Sequence, residues 1–212
     1  MTARNDRGAG DIARIVASAD DLEEAVRALE RSPGIGRSAL EALRSRRPDP
    51  ERPAPLSTAV LVRLAAPSGP DGLAASVPFL ADASPIVQAE VADAIDDLEV
   101  DELSPALLRL AERSPVGGFW DAVVDLVASR EEPGVARLLI GLLERLRSPE
   151  AQAAILEVLP FAAGKKDAAA AKKAISAFLG DRRPVPGAES DEGPVTFAMF
   201  ATEALDALTG AR

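Results

Sequence analysis

Apolar residues along this chain recur at intervals of three and four, and the recurrence is phased by Ser-Pro pairs. Four stretches show it: "SPGIGRSALEAL" from Ser32, "SPIVQAEVADAI" from Ser84, "SPVGGFWDAVVDL" from Ser114 and "SPEAQAAILEVL" from Ser148. A Ser hydroxyl suits the N-cap because it accepts from an orphan amide of the first turn. Pro suits the first helical position, where its missing N–H costs nothing. Each Ser-Pro therefore predicts a helix start. Three, seven and eleven residues after the Ser stand Ile35, Ala39 and Leu43 in the first stretch. The same places hold Val87, Val91 and Ile95 in the second stretch and Ala151, Ile155 and Leu159 in the fourth. Places eight and ten add Leu40 and Ala42, Ala92 and Ala94, and Leu156 and Val158. This is one wide apolar stripe at helical period. The third stretch fits after a one-residue slip past Gly117 and Gly118, with Phe119, Ala122, Val123 and Leu126 as its apolar set.

Helical patterns also fill 57–66, 72–82, 103–113, 133–147, 167–179 and 195–209, with a first helix near 10–30. From Ser84 to Ser114 is 30 residues and from Ser114 to Ser148 is 34, the period of a helical-hairpin repeat. The first interval is longer and contains a Pro-rich connection at 47–55, "RPDPERPAP". The segment 181–193 reads as an exposed loop and 1–10 as a disordered N-terminus. Nothing reads as a strand. The expectation is a single all-α domain over 1–212 with about nine to eleven helices.

"DASPIVQAEVADAI" resembles the second helix of a HEAT-like repeat, as found in phycobilisome-lyase-type arrays. Pro85, Val87, Ala92, Ala94 and Ile95 match that pattern in place or kind. Gln88 stands where Arg is usual, and Gly36 and Gln152 occupy the same slot in their stretches. The likeness covers about 72–180 well and the ends loosely. It implies a right-handed, armadillo-like α-solenoid of stacked hairpins, and it implies no particular function.

Composition narrows the chemistry. Apolar residues make up 47% but aromatics only 3%, so Ala, Leu and Val carry the core. The chain has no His and no Cys, which removes the commonest general base, thiolate zinc sites and Cys nucleophiles. The expectation is a protein that is not an enzyme and needs no cofactor. The formal net charge is −10, which repels a phosphate backbone and argues against nucleic acid as partner. "MTARNDRGAG" lacks the apolar core of a signal peptide, and no run approaches the ~18 apolar residues of a membrane span. Cytoplasmic placement is the default.

Candidate contacts follow from the polar positions of the repeat helices. Gln88, Glu90, Asp93, Asp97 and Glu157 are expected to offer an acidic face to a basic protein partner. Trp120, in "GGFW", reads either as packing between repeats or as a partner anchor. Lys165, Lys166, Lys172, Lys173, Arg182 and Arg183 form a basic segment in an acidic chain, a possible anion contact, with Lys165 and Lys166 expected to begin a helix. In the acidic run 93–102, Asp93, Ile95 and Asp97 imitate the start of a calcium loop. Leu98 stands where that loop turns on Gly, so no metal site is expected. The leading class is a non-catalytic interaction or scaffold module. A HEAT-like enzyme, or a lyase- or chaperone-type accessory protein, is the alternative.

Overall fold

The computed structural model describes residues 21–190 and 193–210. It is 67% helical, with eleven α-helices among the described residues, so the helical expectation holds for the bulk of the chain. The described residues fall into two compact units that divide between Leu98 and Glu99.

The first unit contains α1 (Leu22–Glu30), α2 (Ile35–Arg44), α3 (Leu56–Ala65), α4 (Pro70–Ser76) and α5 (Pro85–Asp96). A 3-10 turn over Val77–Ala81 follows α4. The first predicted helix is seen only from Leu22, and its earlier part and the expected disordered 1–10 lie outside the described residues. Helices two apart in sequence lie side by side: α1 with α3, α3 with α5, and α2 with α4. The most buried of them is α3, whose residues 58–62, 64 and 65 are all enclosed. Its neighbour α4 comes close because Gly72 has no side chain: a Cβ there would sit 2.1 Å from the carbonyl of Ala65. The Pro-rich segment 47–55 is pinned by Asp82, a buried carboxylate that accepts from the amides of Asp49 (3.1 Å), Ala54 (3.0 Å) and Ser84 (3.0 Å).

The second unit contains α6 (Val100–Arg113), α7 (Trp120–Ala128), α8 (Val135–Arg145), α9 (Pro149–Ala162), α10 (Ala168–Ser176) and α11 (Phe197–Thr209). Again α6 packs on α8 and α8 on α10, while α7 packs on α9 and α9 on α11. Consecutive helices also touch, as α7 with α8 and α8 with α9 do. The predicted frame is buried here: Ala151, Ile155 and Leu159 are fully enclosed, as Val87, Val91 and Ile95 are in the first unit.

Two of the four Ser-Pro pairs start helices. Ser84 and Ser148 are N-caps with Pro at the first position, and the Ser148 hydroxyl accepts from Ala151 N at 3.3 Å. Ser32 does not cap α2. The chain turns first through Gly34, whose φ of 75° only Gly adopts cheaply, and α2 begins at Ile35. That helix packs with α4, outside the row of α5, so the first stretch is not an equivalent copy of the second. Ser114 ends α6 instead of starting α7. The helix waits until Trp120, and its buried set is Trp120, Val123, Val124 and Val127; of the slipped set read from the sequence, Phe119 and Val123 are buried while Ala122 and Leu126 are only partly so.

The sequence reading also missed a hairpin. Residues 184–190 (β1) pair antiparallel with Gly193–Thr196 (β2), with an irregularity between Pro184 and Glu189. The segment taken as an exposed loop and called strand-free is therefore a two-stranded ribbon. Its prolines are tolerated because both strands are edges and each keeps one side free of ladder bonds. No helix among the described residues is long and apolar enough to cross a membrane.

Candidate functional site

Three grooves open between helices that are two apart in sequence. In the first unit a cavity of about 510 Å³ lies along α1, α3 and α5, and Glu30, Arg63, Glu90, Asp93, Asp96 and Asp97 line it. Its floor is an ion pair. Arg63 meets Glu90 through two parallel bonds, Nε to Oε2 and Nη2 to Oε1, each 2.6 Å, while its Nη1 donates to Glu23. The Glu90 bonds, and then Glu23, raise the guanidinium pKa well above its ordinary value, so Arg63 stays a fixed cation. Asp93 and Asp97 stand exposed beside this pair.

In the second unit one groove of about 460 Å³ lies between α7, the α7–α8 connection and α9. Another of about 260 Å³ lies between α9 and α11. Phe161 lines both. Glu132, at the first groove, accepts from Val100 N at 3.0 Å and from Arg130 Nη2 at 2.5 Å. The backbone amide chiefly, and then Arg130, hold its carboxyl below the ordinary glutamate range.

The sequence-predicted residues fare differently. Asp93 and Asp97 are exposed and share the first-unit groove, and Glu157 is exposed and lines the α9–α11 groove. Glu90 is not a surface residue: it is 6% exposed and committed to Arg63. Gln88 is half-buried, its Nε2 donating to the carbonyls of Leu80 (3.3 Å) and Asp82 (2.6 Å). Trp120 is 0% exposed. Its Nε1 donates to the Ser114 carbonyl at 2.7 Å and its ring lies 5.0 Å from that of Phe119, so it is core and no free anchor.

The basic segment is not one cluster. Lys165 and Lys166 lie in the turn before α10 and do not begin it, and Lys172 and Lys173 are exposed on α10. Arg183 is occupied: its Nη2 donates to Asp181 Oδ2 (2.6 Å) and Gln152 Oε1 (3.1 Å), and its guanidinium lies 4.9 Å from the Phe197 ring centroid. The Asp181 carboxylate raises the Arg183 pKa, and Arg183 holds the Asp181 carboxyl below its usual range. These bonds anchor the entry to the hairpin. Arg182 is exposed. Among the described residues no group of three or more Asp or Glu is arranged to hold a metal ion.

Sequence reasoning missed Phe161, which is 82% exposed. Phe161 lies within α9, four residues after the exposed Glu157, so helical period places it on the solvent face and off the stripe of Ala151, Ile155 and Leu159. No family model, no curated protein and no solved structure matches the chain.

Proposed function

We propose that the chain is a non-catalytic protein-binding module, a HEAT-like, right-handed α-solenoid whose grooved acidic surface receives a partner of basic character. The observation that carries this reading is the placing of the grooves. In each unit they run between helices two apart in sequence, the side-by-side helices of a hairpin stack, and each is lined by carboxylates. A surface of that kind draws a cationic partner by long-range attraction and repels nucleic acid.

Affinity capture from native cells, repeated with Asp93→Lys/Asp97→Lys, tests the proposal. A protein retained by the wild type and lost by the charge-reversed chain supports it. Retention unchanged by the reversal at raised salt speaks against an acidic binding face.

A further inference from the structure

Phe161 is the most exposed large apolar side chain among the described residues, at 82%. A single exposed apolar side chain is ordinary on a protein surface. This one differs because a groove opens on either side of it. Toward α7 the ring borders a hollow with Val135 and Val158, and toward α11 one with Phe200 and Ala204. The ring is thus an apolar ridge between two troughs lined by both apolar and acidic side chains. Glu131 and Glu157 stand along those troughs, and the guanidinium at the first, Arg130, is already paired with Glu132.

The charge selects among occupants. A second copy docking the same face about a two-fold axis would set carboxylates against carboxylates. An anionic membrane or a nucleic acid would be repelled in the same way. A cationic segment with an apolar side chain satisfies both features of the face. We propose that the Phe161 face docks a short segment of another protein that carries one or two apolar side chains flanked by Lys or Arg. The inference rests on the protein-binding reading above and gives it a second, separate surface.

The probe is a short fluorescein-labelled amphipathic peptide of Leu and Lys, with two controls: Glu replacing Lys, and Ser replacing Leu. Anisotropy should report binding of the Leu–Lys peptide and at least about tenfold weaker binding of each control, since anchor and charge both contribute. Phe161→Ser should weaken the Leu–Lys peptide by about tenfold or more, Phe161→Leu should restore most of the affinity, and Glu157→Lys should weaken it and flatten its salt dependence. Circular dichroism of the variants should match the wild type, because Phe161 and Glu157 are exposed. Full affinity in Phe161→Ser, with binding lost in Asp93→Lys/Asp97→Lys, would overturn this inference and leave the general reading standing. Binding indifferent to both sets of substitutions would count against both. Equal binding of the Glu peptide would overturn the charge argument. Wild-type self-association in sedimentation that Phe161→Ser abolishes would assign the face to a second copy instead.

Discussion

Gln88 and Gln152 make the same hydrogen bond in two different helices. Each stands four residues after its Ser-Pro serine, and each donates its Nε2 to the carbonyl six residues before it, Asp82 at 2.6 Å and Leu146 at 3.0 Å. The carbonyl belongs to the turn that feeds the helix, so the side chain ties the helix to its own entry. Arg, like Gln, offers several N–H donors to a carbonyl so placed.

Gln152→Ala should therefore cost about 1–3 kcal/mol, because it removes a buried donor to the Leu146 carbonyl, which keeps only Arg147 Nη1, and the acceptor of Arg183 Nη2. Gln88→Ala should cost less, since Gln88 is half-exposed to water. Gln88→Arg should keep most of the wild-type stability. Urea midpoints of the three variants check the order; an arginine variant as weak as the alanine one would mean that the slot does not work as a donor site.

Glu90 and Asp97 line the same groove but differ in role, one paired and buried, the other exposed. Replacing Glu90 by Lys removes one partner of a buried pair and puts two cations together. Arg63 keeps 31% of its side chain in solvent, which screens the loss, so about 1–3 kcal/mol is expected. Asp97→Lys should stay within about 0.5 kcal/mol. Thermal melting separates them, and the pair is misjudged if both variants melt together.

Trp120 should report on the core. The chain has a single Trp, so its emission is unmixed. Full burial predicts blue-shifted emission and poor quenching by iodide. Trp120→Phe should cost about 1–3 kcal/mol by removing the indole donor to the Ser114 carbonyl, which keeps only the longer bond from the Gly117 amide, and by leaving core volume unfilled, and Trp120→Ala about 3–5 kcal/mol. Red-shifted, readily quenched emission would contradict the assignment.

Glu132 gives the second unit an acid-labile contact. Its folded pKa lies below its unfolded value, so the contribution is present above about pH 4.3 and is lost as pH falls through the folded value. Stability should therefore decline on acidification from about pH 5 downward, and Glu132→Gln should flatten that decline. Urea midpoints across this range decide it: equal slopes in both proteins would remove Glu132 from the account.

The helices were legible because Ala, Leu and Val recur at a period that buries one stripe, and the stripe from Val87 to Ile95 lies where it was read. The caps were less legible. Ser32-Pro33 and Ser114-Pro115 look like the true starts at Ser84 and Ser148, but Gly34 and the Gly117–Gly118 pair let the chain turn again before the helix begins. The hairpin hid behind Pro184, Pro186 and Pro194, which signal loops in isolation and become edge-strand residues only when a partner strand returns. At the candidate site, Asp93, Asp97 and Glu157 could be placed on the surface from period alone. Glu90 could not, because the Arg63 that buries it lies 27 residues away in sequence. Phe161 was legible by the same period, four residues after Glu157 on the solvent face, but an apolar residue at a helix end drew no attention.

The central claim is that acidic grooves bind a basic protein partner. Its most direct test is the association rate between this chain and the protein captured with it, measured by stopped flow against ionic strength. The account predicts a rate that falls by about tenfold or more as salt screens the face over a Debye length of ~8 Å, and that falls likewise in Asp93→Lys/Asp97→Lys at low salt, with melting unchanged. An association rate indifferent to both salt and charge reversal would contradict it.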